Sequence, residues 1–330
     1  MERITLAHGD GGELAHQLIQ QVFVAHFHND VYAKFDSALF PIEKGQIAMT
    51  TDSFVVKPLF FPGGNIGKLS VAGTVNDLAV SGAIPKMMTC SFIIEEGFPL
   101  DDLTQIVHSM AEEAKKANVR IIAGDTKVVE RGSADGIYIN TTGLGVVPQP
   151  LTVSIQEGDS VIISGSVGDH GIAVLAARGG LGLMTNVESD CATLYPMISA
   201  AMESAKDIRI MRDLTRGGLA TALVEICEDF QVTIELEEEA IPVKREVQGA
   251  CELLGFEPIY LANEGKVIFI VAKKEEQNVL DAIRSLPEGK DAAVIGTVRS
   301  TGKGQLLLRT PLGTTRRLYR LSGLLLPRIC

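Results

Sequence analysis

The sequence lacks the cysteine spacings of a disulfide framework or a zinc site. Its five cysteines are odd in number, scattered, and never separated by only two residues. They are Cys90, Cys191, Cys227, Cys251 and Cys330. Four of them are interpreted as small core residues, but Cys330 is the last residue, where packing does not explain it. Either the chain ends there by accident, or the thiolate is a nucleophile or carrier.

An excess of positive charge is also missing. Lys and Arg total 30 against 41 Asp and Glu, which gives a net charge of -11 and a pI of about 5.1. Nucleic acid is therefore excluded as a main partner, because backbone binding needs a basic face. No apolar run approaches the roughly 18 residues that span a bilayer. The first residues also lack the order of a signal peptide, so we expect a cytoplasmic protein with no membrane partner.

The length and the turn residues favour two domains. A chain of 330 residues with 33 dispersed glycines is too long for one ordinary core. The strongest boundary is Pro148-Gln149-Pro150, because proline resists both helix and sheet. The sequence therefore predicts domains at residues 1–150 and 151–320. It also predicts a tail at residues 321–330 that is mobile or loosely docked, since Gly323 and Pro327 break any helix there.

Strand-like and helical runs follow one another through both predicted domains. Predicted strands cover residues 46–51, 87–94, 119–123, 137–147, 160–164, 232–236, 267–272 and 293–298, with a final pair around Leu306 and Arg317. Predicted helices cover 67–82, a stretch after Asp101 and Asp102, a stretch from Asp169, 217–230 and 275–286. Strands are often adjacent rather than strictly alternating with helices. The pattern therefore favours an α+β class with two α/β sandwich domains.

Four short acidic segments are candidates for a metal and nucleotide site. They are His8 to Gly12 with Asp10, Thr50 to Ser53 with Asp52, Asn76-Asp77, and Gly124 to Lys127 with Asp125. Several place an Asp at a strand end or in a small-residue helix, where a carboxylate is costly without a cation or donor. Magnesium prefers such oxygen ligands. Each Asp taken alone also fits a helix cap or a turn.

Three further segments carry charged residues, and the sequence leaves two interpretations open for each of them. Lys127 follows a strand-end Asp and either stabilises a transferring phosphoryl group or lies on the surface. Asp213 to Leu219 opens a helix with an acid, a hydroxyl and two glycines. It is either a lid or anion-binding helix end, or a simple helix cap. Glu264 precedes a strong strand and is either a base or a solvated side chain.

Two glycine-rich segments resemble known nucleotide loops but fail their patterns. Gly63 to Leu69 has Pro62 and Leu69 where a Walker A loop needs Gly and Ser or Thr, so a turn opening a helix is favoured. Gly165 to Gly171 has the wrong glycine spacing for a dinucleotide fold, which excludes NAD. His170 in this segment is either functional or exposed at a glycine turn.

One set of segments together resembles the HypE family of hydrogenase maturation factors. It comprises the four acidic segments, Gly63 to Lys68, Asp213 to Gly218, Asn263 to Lys266 and the ending Pro327-Arg328-Ile329-Cys330. The likeness runs from residue 6 to the end, and the terminal four residues are its most specific part. Aminoimidazole ribonucleotide synthetase, selenophosphate synthetase and thiamine-phosphate kinase share the acidic segments and the use of ATP, but not that tail. The resemblance implies two domains of the aminoimidazole ribonucleotide synthetase type.

The resemblance also implies a reaction on the chain's own terminus. A partner carbamoyltransferase, HypF, would place a carbamoyl group on Cys330, and the tail would fold into the ATP site. ATP would phosphorylate the carbamoyl oxygen, and loss of the nitrogen protons would leave a thiocyanate. The cyanide would pass to iron on a HypC–HypD complex for a [NiFe] hydrogenase. A homodimer with ATP near its interface is implied as well.

Roles follow from matching the family's segments residue by residue. Cys330 would carry the substrate, while Glu264 and Lys127 would remove protons and stabilise charge. Residues gathering ATP and Mg²⁺ would be Asp10, Gly11, Gly12, Asp52, Asn76, Asp77, Asp125 and Asp213. The magnesium ligands among them would be Asp52, Asp77 and Asp125.

Two other functions remain open from the sequence. A small-molecule ATP enzyme of the same superfamily would make Cys330 dispensable, and a selenide enzyme would need a Cys or selenocysteine near the first glycine loop, where residues 1–20 have none. A binding module with a metal-delivering thiol would leave the acidic segments unexplained.

Overall fold

The computed structural model describes residues 12–18, 38–41, 45–179, 182–323, 326, 329 and 330. Asp10 and Gly11 of the predicted nucleotide loop lie outside this part of the chain. Within it, no helix is both long and apolar enough to cross a bilayer.

The first half of the chain builds a five-stranded sheet with helices on one face. Its elements are α1 (Glu13–Leu18), β1 (Ala38–Pro41), β2 (Gln46–Phe54), β3 (Phe60–Phe61), β4 (Gly64–Asn65), α2 (Ile66–Val80), β5 (Ile84–Glu95), α3 (Leu100–Lys116), β6 (Arg120–Val129) and β7 (Ile137–Val147). The sheet order is β1-β2-β7-β5-β6, with only the β5–β6 pair parallel. Strands β3 and β4 form a separate hairpin.

Helices α2 and α3 differ because their sequences differ in polarity. Thirteen residues of α2 are buried, since the helix carries small and apolar residues on all of its sides. Asn65 caps its start by accepting hydrogen bonds from the N–H groups of Gly67 and Lys68. Helix α3 buries only one stripe and carries acids in its first turn and lysines in its last, which suits the helix dipole.

The second half builds a seven-stranded sheet covered on both faces. Its elements are β8 (Ser160–Ile163), α4 (Asp169–Ala177), α5 (Tyr195–Ser204), β9 (Ile208–Asp213), α6 (Gly218–Phe230), β10 (Val232–Glu237), α7 (Arg245–Leu254), β11 (Val267–Val271), α8 (Glu276–Arg284), β12 (Ala293–Thr301), β13 (Gln305–Arg309) and β14 (Thr315–Leu318). The order is β14-β13-β10-β12-β8-β11-β9. Ile268 and Ile270 pack with α6, whereas Phe269 packs on the opposite face with α5 and α8.

A third body of apolar residues joins the two halves. It combines the helix-covered face of the first sheet with α4, α7 and the tail residues Leu326 and Ile329. The last described residues of the chain are therefore docked between the halves in this state.

The predicted fold class is confirmed, and most predicted elements are present. Strand β7 has the predicted bounds, and the sequence made no prediction for α5, β9 or α7. The predicted boundary at residue 150 falls in the connection between β7 and β8 and stays a prediction.

Candidate active site

A small acidic cleft lies where β2 and α2 of the first half meet the second half. It encloses about 50 Å³. The residues around it are four acids, one arginine, one cysteine and four neutral residues, namely Asp52, Asp77, Asp213, Glu264, Arg216, Cys330, Ser53, Phe54, Gly73 and Thr215. The structure thus brings together five of the sequence-predicted site residues: Asp52, Asp77, Asp213, Glu264 and Cys330.

The first half contributes a pair of interacting carboxyl groups. Asp52 on β2 accepts a hydrogen bond from Thr74 Oγ1 at 3.1 Å, and Thr50 Oγ1 donates to Asp77 Oδ2 at 2.7 Å. Burial raises the pKa of Asp52, against the opposing effects of Thr74, the positive charge of Arg216 and a hydrogen bond with Asp77. Two carboxyls that bond to each other share a proton. A divalent cation with oxygen ligands fits this pair, since it would replace that proton.

Glu264 is a buried acid that the second half contributes to the cleft. It lies in the loop before β11 and is 3% exposed. Burial raises the pKa of this carboxyl well above its usual range, and the charges of Asp213 and Asp190 add to the effect while Arg216 opposes it. Its Oε1 has no hydrogen-bond partner among the described residues. A carboxyl with a raised pKa is a more effective proton acceptor near neutral pH.

Cys330 reaches the cleft at the end of the docked tail. Its carbonyl oxygen accepts a hydrogen bond from Val55 N at 3.4 Å. Its thiol bonds to the carboxyl of Glu264, and burial raises the thiol pKa to about 12. The docked thiol is therefore protonated at neutral pH and is a poor nucleophile in this position. This state suits a thiol that already carries a group better than one that attacks.

Arg216 is a site residue that the sequence analysis missed. Among the described residues that line the cleft it is the only basic one, and its charge opposes the rise in the pKa values of Asp52, Glu264 and Cys330. The segment Asp213 to Leu219 was interpreted only as an anion-binding or capped helix start. An arginine directly before the glycine pair Gly217-Gly218 was the signal available, since guanidinium groups bind phosphate in a fixed geometry.

Asn76 lies beside the cleft but bonds to backbone atoms. Its side-chain N–H donates to the carbonyl oxygens of Ala192 at 3.1 Å and Glu264 at 3.5 Å. Its oxygen accepts from Leu194 N at 2.7 Å. In this state Asn76 holds the second half against α2, and its predicted contact with nucleotide stays a prediction.

Asp125 and Lys127 are not brought to the cleft within one chain. They lie on the edge strand β6, three strand spacings or about 14 Å from β2. Register places Asp125 in a row with Ser91, Asn140 and Ser53, on the open face of the sheet. The two exposed side chains form an ion pair of 3.2 Å, and the Lys127 hydrogen bond lowers the pKa of Asp125.

A single chain therefore does not assemble the predicted magnesium set of Asp52, Asp77 and Asp125. In the part of the chain that the structure describes, no group of three or more His, Cys, Asp or Glu is arranged to hold a metal ion. The motifs give strand ends but not the order of strands in the sheet. That order separates Asp125 from the other two acids.

Gly12 of the predicted glycine loop lies next to the start of the tail, and His170 lies in the core. Of the loop, Gly12 is described, and the following Glu13 N–H donates to the carbonyl oxygen of Leu321 at 3.0 Å, where the tail begins. The expectation that His170 is exposed at a glycine turn is wrong. Its side chain is completely buried, because α4 turns it into the core shared by the two halves.

Comparisons with known proteins agree with this architecture. Residues 34–147 match the N-terminal domain of the AIR synthase related proteins, and residues 156–309 match the C-terminal domain of that family. Two sandwich domains around a shared acidic cleft define a protein of this class.

Closer relatives narrow the class. The carbamoyl dehydratase HypE of Azotobacter vinelandii is 45% identical over 331 residues, which cover 99% of this chain and 97% of the relative. A crystal structure of a HypE–HypF complex matches with a TM-score of 0.86 and 47% identity, covering 92% of this chain and 99% of the other. HypE in complex with ATP matches with a TM-score of 0.83 and 43% identity, covering 99% and 100%. The chain belongs to the carbamoyl dehydratase HypE family.

Proposed function

We propose that this chain dehydrates a carbamoyl group carried on its own Cys330, using ATP, and leaves a thiocyanate. The observation that carries the proposal is the docked Cys330 thiol, which bonds to Glu264 in a cleft that also holds Asp52, Asp77 and Arg216. A relative in this family is named carbamoyl dehydratase, and another was crystallised with ATP.

The reaction balances as a transfer of oxygen from carbon to phosphorus. The carbamoyl oxygen of the S-carbamoyl group attacks the γ-phosphorus of ATP, and ADP leaves. The nitrogen then loses its protons, the carbon–oxygen bond breaks, and phosphate departs with the oxygen. The products are ADP, phosphate and Cys330-S-CN. Phosphorylation is needed because oxide or hydroxide is a much poorer leaving group than phosphate.

The described side chains divide this work. Glu264 lies against Cys330 and has a raised pKa, so it would accept a proton from the carbamoyl nitrogen. Arg216 would bind the transferring phosphoryl group. Asp52 and Asp77 would hold Mg²⁺, which neutralises phosphate charge when it is bound. Asp213 lines the same cleft from β9.

A homodimer would complete the site. The open face and the edge strand β6 of the first sheet expose apolar side chains, including Met49, Ile93, Ile122 and Val128. Burying this surface against a second copy would remove the exposed sheet edge. It would also let Asp125 and Lys127 of one copy reach the cleft of the other, which a single chain does not allow.

Two further partners and a compartment belong to the proposal. HypF would supply the carbamoyl group, as a relative's complex with HypF supports. A HypC–HypD complex would take the cyanide for a [NiFe] hydrogenase. Such a pathway consumes ATP, which favours the cytoplasm.

Mass analysis of the terminus tests the reaction. Cleavage before Asp291 releases residues 291–330, in which Cys330 is the sole cysteine. The carbamoylated protein incubated with Mg-ATP should lose the mass of one water from this peptide. A non-hydrolysable ATP analogue should give no loss, and Cys251→Ala, which removes a buried cysteine of α7, should behave as wild type. An unchanged mass with Mg-ATP would refute the proposal.

A further inference from the structure

A chain of hydrogen bonds runs in one direction from a turn to the docked tail. Cys191 N–H donates to Ser189 Oγ at 3.1 Å, and Ser189 Oγ lies 2.8 Å from His170 Nδ1. His170 Nε2 lies 2.8 Å from the carbonyl oxygen of Ile329, which can only accept. Nε2 therefore carries a proton, and with a neutral ring the Ser189 hydroxyl donates to Nδ1. Complete burial, which lowers the pKa of His170, favours the same form.

The same turn also holds the loop that carries Glu264. One carboxylate oxygen of Asp190 accepts from Glu264 N at 3.1 Å and the other from Gly265 N at 3.2 Å. Lys266 Nζ lies 3.4 Å from this carboxylate, and both side chains are largely buried. Ser189 and Asp190 are adjacent, so neighbouring residues of one turn fix the tail and the base.

Two glycines keep this turn in place. A Cβ atom on Gly63, whose φ is +89°, would lie 2.6 Å from the carbonyl oxygen of Ser189. A Cβ atom on Gly265 would lie 1.8 Å from the carbonyl oxygen of Asp190. Both distances are far below van der Waals contact, so only glycine fits at either position. Ser189 N also donates to the Pro62 carbonyl oxygen at 2.8 Å.

We infer that the turn Ser189–Cys191 positions the two reacting groups relative to each other, because it holds the tail through His170 and the Glu264 loop through Asp190. His170 sets the peptide directly before Cys330, and Asp190 sets the backbone of Glu264. His170 bonds to the Ile329 backbone and not to the thiol, so it is a positioning residue rather than a catalytic one. The glycine loop Gly63-Gly64, which resembled a nucleotide loop, packs against this turn. The inference rests on the proposed function for its purpose but not for its geometry.

Alkylation of Cys330 in the folded protein tests the positioning role without any turnover. Iodoacetamide is added to the native protein, and the labelled fraction of the 291–330 peptide is followed with time. His170→Ala should raise the labelling rate by roughly three- to tenfold, because one buried hydrogen bond no longer holds the tail. His170→Gln, whose amide N–H can replace Nε2–H, should stay within about twofold of wild type. His108→Ala removes an exposed histidine of α3 and should label at the wild-type rate.

Two more variants keep the test decisive if His170→Ala does not fold. Ser189→Ala removes the hydroxyl that bonds to His170 Nδ1 and orients the ring, and it should raise the labelling rate by about threefold. Gly63→Ala should shift the turn and act in the same direction. Wild-type labelling rates in folded His170→Ala or Ser189→Ala protein, or equal rates for His170→Gln and His170→Ala, would overturn the inference.

The dehydration rate gives a second readout. In the carbamoylated protein, which reacts once per chain, His170→Ala should lower the single-turnover rate constant at saturating ATP with little change in the ATP concentration that gives half-maximal rate, and His170→Gln should restore the rate constant. An equal change of both parameters would contradict a positioning role. If wild-type protein did not dehydrate but the labelling order held, the positioning role would stand and only the proposed function would fall.

Discussion

The two sheets of this molecule are covered to different degrees by the helices of the same chain. The central strands β8 and β11 of the second sheet are buried at every residue, because helices cover both faces. The first sheet has helices on one face only, and nearly every residue of its edge strand β6 is exposed. The second half is thus complete within one chain, whereas the first presents a surface that another chain can cover.

This difference sorts the predicted catalytic residues into two groups. Glu264 and Cys330 meet within one chain, on elements tied to the second half. Lys127 and Asp125 lie on the exposed edge strand of the first sheet. We therefore expect the first pair to act in cis and the second pair to act across a dimer.

Mixing inactive variants gives the largest expected effect. Lys127→Ala and Cys330→Ala should each be inactive alone, but mixed dimers should recover about a quarter of wild-type dehydration. Half of the dimers are mixed in a random population, and one of their two sites combines an intact Cys330 with an intact Lys127. Activity is measured as the mass change of the 291–330 peptide. No recovery in a population shown to contain mixed dimers would place Lys127 in cis or outside the site.

The matched control uses the cis pair. A mixture of Glu264→Gln and Cys330→Ala should stay inactive even as mixed dimers, because each intact Cys330 lies beside an altered Glu264. Recovery in this mixture would contradict the docked tail seen here.

Glu264→Gln alone should lower the dehydration rate by about 10²- to 10⁴-fold, as expected for loss of a general base of nearly unchanged shape. The pKa of Glu264 is raised, and as the proposed base Glu264 would act in its deprotonated form. The wild-type rate should therefore rise with pH along a limb that lies above the ordinary Glu range of about 4.3. Single-turnover rates across pH measure this limb, and its persistence in the Gln variant would assign it to another group.

Truncating a buried side chain of the second sheet should destabilise the protein more than truncating an open-face side chain of the first sheet. Phe269→Ala removes a fully buried ring from β11 and should lower the free energy of unfolding by about 3–5 kcal/mol. Met49→Ala on the open face of the first sheet should change it by no more than about 0.5 kcal/mol in the monomer. Urea unfolding at low protein concentration compares the two. A large loss for Met49→Ala would mean that the open face is already covered.

The sequence predicted local elements better than their arrangement. The alternating strand β7 and the amphipathic helix α3 carry their patterns in consecutive residues, so both were found. The sequence also indicated Asp52, Asp77 and Glu264 by type. It did not separate Asp125 from them, because the strand order β2-β7-β5-β6 depends on long-range pairing. Arg216 and His170 were missed as site and core residues, since the direction of a side chain at a helix start depends on packing.

The smallest expected effect concerns Asp52, the first half's buried acid. Its pKa is raised by burial, so the charged form is disfavoured in the folded state and costs stability above the ordinary Asp pKa. Asp52→Asn should therefore raise the Tm at neutral pH, by no more than about 4 °C, and this gain should disappear as the pH falls and wild-type Asp52 becomes protonated. The same variant should lose the stabilisation that Mg-ATP gives to wild type, because the divalent cation loses one of its two carboxyl ligands. Thermal melts with and without Mg-ATP measure both effects. A Mg-ATP shift equal to that of wild type would remove Asp52 from the metal site, while a lower Tm without ligand would show that its hydrogen bond with Thr74 outweighs the cost of burial.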